Sequence, residues 1–262
     1  MTGRDGPGRD QSGRDQSGRD GPGTDGPGRW WDRVALIIPA LDEEEALPRV
    51  LTELRELGLE PGRVVVVDNG SKDGTARVAA RSGARVVQEP RKGYGAACLA
   101  GLGALTSDPD PPAVVAFMDG DGSDDPRALR SLVDPILEGC ADFVVGVRQK
   151  EVSGGVPIHA RLGDALVRKM AWILHGVRLG DLGPFRAIRW TSLEALDMDD
   201  RDWGWTLQMQ LRAHARGLRY LEVSVPHRAR LAGRSKVSGA LVPSLRAGLK
   251  MFRVLVAERG SR

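Results

Sequence analysis

The sequence predicts an α/β protein, a mostly parallel sheet with helices on both faces, and three observations carry that expectation. From Trp30 onward, short apolar runs alternate with amphipathic segments of helical length, the pattern of successive strand–helix–strand units. The runs are apolar at nearly every position, not at every second one, as strands covered on both faces are. Each run also ends in a polar, often acidic segment, and open sheets of this kind bind ligands at the C-terminal ends of their strands.

Taken in order, RVALIIPA (residues 33–40) is an apolar first strand, and an amphipathic helix follows over residues 44–57. RVVVVD (63–68) is rich in β-branched residues and is a second strand, backed by a helix over 74–81. ARVVQ (84–88) is a short strand, GYGAACLAGLGAL (93–105) a helix of small residues, and AVVAFMD (113–119) a strand buried on both faces. VVGVRQ (144–149) is a further strand. This order places residues 39–42, 68–71 and 119–121 along one rim as three polar strand exits.

Ahead of the first strand, residues 3–27 repeat a five-residue unit, GRDGP GRDQS GRDQS GRDGP GTDGP, whose composition cannot pack a core. Residues 1–29 are therefore expected to be a flexible, solvated arm, 30–239 one domain, and 240–262 a C-terminal amphipathic helix. The 262 residues, 41% hydrophobic and 28% charged, suffice for a single sizeable core. A formal charge of +3 and a pI near 9.1 are too mild to argue for nucleic acid. Cys98 and Cys140, far apart and without a CxxC pair or His cluster, read as buried thiols in a reducing compartment. No signal-peptide core and no apolar run of about 18 residues is present, so the expected location is cytoplasmic.

The stretch AVVAFMDGDGSDDP then raises a question, because four aspartates fall within the seven residues 119–125 at the tip of a buried strand. Unit charges about 4 Å apart repel by roughly 1 kcal/mol even in water, so the cluster asks for a cation. A calcium-binding EF-hand loop does not fit: Asp124 stands where glycine must turn the chain and Arg130 where the bidentate glutamate belongs. A dinucleotide fingerprint does not fit either, since IIPALDEEEA has no glycine, and no GxxxxGK[ST] phosphate loop occurs. An acidic rim binds phosphates through a bridging cation, which gives Asp119 and Asp121 to Mg²⁺ or Mn²⁺, with Gly120 letting the turn bring both carboxylates to one ion. A DxD pair alone is as readily an ordinary turn; the buried strand and the two matching exits favour the site.

Four stretches in order, VALIIPALDEEEALPRVL, VVVVDNGSKDGT, RKGYGAACLAGL and FMDGDGSDDP, closely resemble the nucleotide-binding half of family 2 glycosyltransferases with the Rossmann-like GT-A fold. DLGPFRAIR and DWGWTLQMQLRAHARGLRYLEVSVPHRARLAGRSKVSG resemble its dolichyl-phosphate mannose synthase and polyprenyl-phosphate glycosyltransferase branch, so the likeness spans residues 33 to about 239. The resemblance implies a nucleotide-sugar donor contacted by Pro39, Asp42, Glu43, Asp68, Asp73, Lys92, Gly93, Asp119 and Gly120, with the metal on Asp119 and Asp121. Asp73 reads equally as a helix cap, and Gly93 as a residue that permits close backbone approach to the nucleotide. Ser123 stands where the mannose synthase branch has a glutamine beside the metal. In the second half Arg148, Arg161, Arg186, Arg230, Ser235 and Lys236 match positions that hold the acceptor's phosphate, a task that suits the planar arginine fork. The implied catalytic set is Asp121, Asp181 and Arg186.

The chemistry that follows is inverting transfer in one displacement, with the cation neutralising the departing diphosphate. A hydroxyl acceptor needs a base, whereas a lipid phosphate is already ionised. Gln208 stands where the branch commonly has a glutamate, leaving Asp181 as the candidate base, and this favours a polyprenyl phosphate acceptor over a soluble hydroxyl. ALVPSLRAGLKMFRVLVAERG (240–260) suits an interfacial helix on anionic lipid, at the inner face of the membrane, and suits a core-packing or dimer helix equally. A nucleotidyltransferase is disfavoured by the acidic, glycine-free loop PALDEEEALP, and a catalytically silent nucleotide-binding protein by the intact metal pair.

Overall fold

A computed structural model describes residues 30–149, 158–232 and 241–260, with backbone alone for 158–162 and 241–247. The repeat arm, the expected phosphate-binding Ser235 and Lys236, and the side chain of Arg161 lie outside the described residues. Seven strands form one sheet: β1 (Val34–Ala40), β2 (Val64–Asp68), β3 (Arg85–Gln88), β4 (Val114–Phe117), β5 (Phe143–Arg148), β6 (Arg186–Arg189) and β7 (Tyr220–Val225). Their order is β3-β2-β1-β4-β6-β5-β7, and only β6 runs antiparallel to its neighbours. The connecting helices are α1 (Leu47–Glu56), α2 (Thr75–Arg81), α3 (Tyr94–Thr106), α4 (Leu129–Leu137), α5 (Ile158–His175), α6 (Trp190–Leu196), α7 (Trp205–Ala215) and α8 (Leu241–Ala257). The mostly parallel sheet expected from the sequence is the sheet that forms.

The unbroken apolar runs are explained by two cores. Val34, Leu36 and Ile38 of β1 point into one core with Leu47 and Val50 of α1, Ala79 of α2 and Leu132 of α4. Ala35 and Ile37 point into the other with Ala97 of α3, Leu193 of α6 and Met209 of α7. Each fully buried Val, Leu or Ile contributes about 1.5–3 kcal/mol relative to exposure, so these central strands hold the sheet together. Cys98 lies in the second core as expected. Cys140 is exposed, a correction to its expected burial: it follows α4 in a turn that nothing covers.

Pro39 sits near the end of the central strand β1, an unusual place for a residue without an N–H. The pairing of β1 with β4 stops at Ile37↔Phe117, so at Pro39 the neighbouring strand has already turned away and no ladder bond is lost. The same departure opens the rim where β4 runs into its aspartates. A third apolar cluster joins α5, α7 and α8 through Val167, Ala171, Leu207, Leu211, Val254 and Leu255. The C-terminal helix thus has one core-packing face. Among the described residues no helix is long and apolar enough to cross a membrane.

Candidate active site

The exits of β1 and β2 are sewn together by backbone donors meeting polar side chains. Asp42 N–H donates to Ser71 Oγ (3.0 Å), Lys72 N–H to Asp42 Oδ1 (2.7 Å), Glu43 N–H to Thr75 Oγ1 (2.8 Å) and Glu44 N–H to Asp73 Oδ2 (3.1 Å). Asp73 also accepts from Thr75 N–H at 3.0 Å, just ahead of Gly74, which stands at the N-cap of α2. Burial opposes its charge, but the Thr75 hydroxyl and the backbone donors outweigh that and hold its carboxyl low. Asp68 Oδ1 accepts from Ser71 N–H at 2.9 Å.

Asn69 extends the seam to the exit of β3. Its carboxamide donates to the carbonyls of Glu89 (3.0 Å) and Arg91 (2.6 Å) and accepts from Gly93 N–H (2.8 Å). The sequence reading passed over this residue, although an Asn between a strand and a Gly turn is a known signal for side-chain-to-backbone bonding. The neighbouring Lys92 is exposed, with no hydrogen-bond or ion-pair partner among the described residues.

Gly93 has the role of a close-approach residue, but toward the chain itself. Its φ is +148°, and a Cβ there would collide with the carbonyl of Arg201. Ala96 N–H donates to that carbonyl (2.8 Å) and Gly95 N–H to the carbonyl of Asp202 (3.2 Å), so the loop ahead of α7 closes the N-terminus of α3.

At the end of β4 the aspartate turn is shaped by two residues outside the DxD pair. Asp119 N–H donates to the buried Asp124 Oδ2 (3.1 Å), and Asp121 Oδ1 accepts from Ser123 N–H (2.8 Å). The left-handed turn falls at Gly122, with φ +77°, where a side chain would strike Leu231. Gly120 was expected to make the turn; it has no positive φ, and a Cβ there would lie 3.1 Å from Ile38, so it is small because β1 packs beneath it. The segment after β7 lies along this turn: Arg228 N–H donates to the Ser123 carbonyl (2.8 Å) and Leu231 N–H to that of Asp121 (3.0 Å). Arg230 Nη2 is 2.8 Å from Asp121 Oδ2, and its Nη1 is 3.8 Å from Glu43 Oε1.

The electrostatics of the turn are those of a site short of positive charge. Burial first, then the charges of Asp121 and Asp124, push Asp119 well above the usual carboxylate range. Burial also pushes Asp124 up to about 7, against the bond from Asp119 N–H and with help from the Asp121 charge. Among the described residues no group of three or more carboxylate, His or Cys side chains is arranged to hold an ion alone. Two hard carboxylates completed by ligand phosphates and water are the usual protein share of a Mg²⁺ site, and Asp119 and Asp121 fit that share.

Across the rim, β5 ends in Arg148, whose guanidinium forks onto Asp181, Nε to Oδ2 at 2.8 Å and Nη2 to Oδ1 at 2.6 Å. Asp181 also accepts from the N–H groups of Arg148 (3.0 Å) and Gly183 (2.9 Å). Burial alone would raise its pKa, but the arginine outweighs it and the carboxyl lies below the ordinary range. This corrects the expectation of Asp181 as a base: both oxygens are occupied and its affinity for a proton is reduced. Asp164 on α5 lies 4.0 Å from Arg148 and is shifted the other way, upward, by burial.

Two further expected residues are buried. Arg186, expected in the catalytic set, is fully buried; it donates to the carbonyls of Thr206 (2.8 Å), Gly183 and Pro184 (3.3 Å) and lies over the Phe143 ring. Flanked by Phe185, Ala187 and Ile188 and paired with Phe117 at the end of β4, it braces the 183–184 turn from inside. Gln208 accepts from Asp199 N–H (3.2 Å) and Asp200 N–H (2.9 Å) and donates to Asp199 Oδ1 (2.7 Å) and Glu258 Oε1 (2.8 Å). The amide donates to both carboxylates, which a glutamate carboxylate cannot do.

Residues 35–191 match glycosyl transferase family 2, and the chain belongs to that family and is a glycosyltransferase. An uncharacterized glycosyltransferase of Mycobacterium tuberculosis is 41% identical over 227 residues, 86% of this chain and 98% of that one. The undecaprenyl-phosphate mannosyltransferase of Micrococcus luteus is 32% identical over 80% of this chain and 89% of its own, and the dolichyl-phosphate hexose transferase of Haloferax volcanii 30% over 87% and 96%. Among solved structures, glucosyl-3-phosphoglycerate synthase from Mycobacterium tuberculosis, in complex with Mn²⁺, uridine-diphosphate-glucose and phosphoglyceric acid, superposes with a TM-score of 0.68. It is 24% identical and covers 87% of this chain and 79% of its own, a likeness of fold.

Proposed function

We propose that this glycosyltransferase moves a sugar from a nucleotide diphosphate-sugar to the phosphate of a polyprenyl phosphate, in one inverting displacement. Asp42, Glu43, Asp68 and the Lys92–Gly93 turn bind the nucleotide, and Asp119 and Asp121 hold Mg²⁺ or Mn²⁺. The bound cation would neutralise the diphosphate as it leaves. Arg230, now on Asp121, faces the rim and can exchange that carboxylate for a phosphate of the same geometry, while Arg148 remains on Asp181.

The observation that carries the acceptor class is the Arg148–Asp181 pair. Three Arg148 donors, joined by Gly183 N–H, engage the expected base and lower its pKa, which suits a nucleophile that is already ionised. The names of the Micrococcus and Haloferax relatives support the same acceptor. A second reading, a soluble hydroxyl acceptor, is favoured by Asp164, whose raised carboxyl beside Arg148 has the character of a base, and by the phosphoglyceric acid in the mycobacterial neighbour.

The test is a panel of labelled nucleotide sugars with undecaprenyl or dolichyl phosphate in detergent, Mg²⁺ or Mn²⁺, and phosphoglycerate as the soluble alternative. Label in the lipid phase, undiminished in Asp164→Asn, is the expected result. Transfer to the water-soluble acceptor alone, lost in that variant, overturns the lipid acceptor.

A further inference from the structure

Helices α5 and α8 lie side by side, joined by the apolar cluster that includes Val167, Ala171, Val254 and Leu255 and by a bond between His175 Nε2 and the Leu255 carbonyl at 2.8 Å. That contact uses one face of each. Outside that contact the two helices carry Leu166, Trp172, Ile173, Leu249, Phe252 and Val256, which are 48–62% exposed. Their spacing, 166 to 173 and 249 to 252 to 256, puts each set on one stripe of its helix. Two adjacent stripes of large apolar residues exceed the scattered exposure normal for a soluble surface and mark a place where something docks.

The charges say what docks. Lys169 on α5, Arg253 on α8 and Arg178 just beyond α5 are exposed around the stripes, and Arg178 lies 5.7 Å from the Trp172 ring centroid. Asp164, the one carboxylate described on the two helices, is turned to Arg148 at the rim, 4.0 Å away. A second copy of the chain on the stripes would set Lys169, Arg178 and Arg253 against their own like charges. An anionic bilayer meets both features at once: apolar side chains enter the acyl boundary and cations stay with lipid phosphates. Trp172 under Arg178 is the amphipathic combination that favours that depth.

We infer that α5 and α8 together form a docking platform for an anionic lipid bilayer, with the sequence-detected C-terminal helix supplying only half of it. The platform adjoins the acceptor side of the rim, because Asp164 of α5 is 4.0 Å from Arg148 and Arg168 of α5 donates to the Gly180 carbonyl at 2.8 Å. The inference deepens the polyprenyl-phosphate reading and rests on it for its purpose, but its test does not depend on catalysis.

The test is flotation of the full chain with phosphatidylcholine vesicles, with and without phosphatidylglycerol, alongside light scattering for oligomeric state. The expected result is binding that needs phosphatidylglycerol. It should fall about tenfold or more in Trp172→Ser/Phe252→Ser, and about fivefold per charge in Lys169→Glu/Arg253→Glu. Transfer to detergent-dispersed lipid phosphate should persist in the second variant, which alters exposed residues alone. Binding absent from anionic vesicles, or unchanged in both variants, overturns the platform while leaving the acceptor reading intact. A dimer that dissociates in Trp172→Ser/Phe252→Ser, without vesicle binding by the parent, assigns the face to a second copy instead. Vesicle binding without any lipid glycosylation would sink the acceptor reading and keep the platform.

Discussion

The two halves of the rim are held in order by different chemistry. On the β1–β2–β3 side, backbone N–H groups meet Ser71, Thr75, Asp42, Asp73 and Asn69, and the bonds tie each loop to the next. On the β4–β5 side, guanidinium groups meet carboxylates, Arg230 on Asp121 and Arg148 on Asp181. Backbone bonds have no better partner to go to, so the first half is pre-organised for a ligand of fixed shape. Arg230, only partly buried, can exchange Asp121 for a phosphate of the same bidentate geometry, whereas freeing Arg148 would strand the buried carboxylate of Asp181. The Arg230 contact is therefore the part of the second half that can rearrange when phosphates arrive.

The largest effect should come from the carboxylate that shares Arg230 with Glu43 of the first half. Asp121→Asn weakens the proposed metal site and removes the Arg230 partner together, and turnover should fall by about 10²–10³-fold, the range for losing one strong electrostatic contact in a site. Mn²⁺ binding followed by spin resonance should weaken in parallel while the melting temperature stays within a few degrees. Unaltered turnover with weakened Mn²⁺ binding would separate the ion from the chemistry and reverse the assignment.

Next in size is Asp181→Asn, which breaks the bidentate pair on the rearranging side alone. Acceptor kcat/KM should fall about 10–100-fold, the range seen when a partner that orients a ligand-holding residue is removed. Donor KM should stay within twofold, because the β1–β2–β3 seam is untouched. The pH profile of the variant should keep the parent's shape; loss of a base limb would restore Asp181 as a proton acceptor.

How much of this was legible in the sequence divides along the same line. Asp42, Asp68 and Asp119 were visible because each stands at or just beyond the end of an apolar run, and sheet geometry brings those strand exits together, whereas Asp73 came through the resemblance. Asn69 and Asp124 were visible inside the same motifs but looked like ordinary loop residues, since their partners are backbone atoms. The second half depends on pairs far apart in the chain: Arg148 with Asp181 is 33 positions apart and Gln208 with Glu258 is 50. No local pattern announces such pairs. Arg186 entered through the family resemblance, and its flanks Phe185, Ala187 and Ile188 already spoke for its burial.

Gly93→Ala tests the join between the halves. The added Cβ meets the Arg201 carbonyl at a φ that side chains avoid, so the loop ahead of α7 must back away from α3. A loss of about 1–3 kcal/mol in denaturant unfolding is expected, the usual cost of an unfavourable backbone conformation. Donor and acceptor KM should rise together, since Asn69 holds Gly93 from one side and residues 201–202 close on α3 from the other. A rise in donor KM alone would mean that the glycine serves the nucleotide directly.

The smallest functional effect should come from the opposite end of β5. There Asp142 is held by Arg219, Nη2 to Oδ1 at 2.6 Å and Nε to Oδ2 at 2.8 Å, and by Arg189 at 3.3 Å, an ion-pair cluster as strong in geometry as Arg148–Asp181 but far from the rim. Arg219 first, with burial opposing and Arg189 helping, holds the Asp142 carboxyl far below the usual range. A lowered folded-state pKa contributes stability above the unfolded value, near about 3.9, and that contribution fades as pH falls through the folded value. Asp142→Asn should therefore lose about 1–3 kcal/mol at neutral pH. The gap to the parent should close below about pH 4, with transfer unchanged at every pH where both are folded. If the gap persists undiminished into acid, the cluster stabilises by hydrogen bonding alone. If transfer falls, the two ends of β5 are coupled and the contrast between a structural and a functional ion pair on one strand fails.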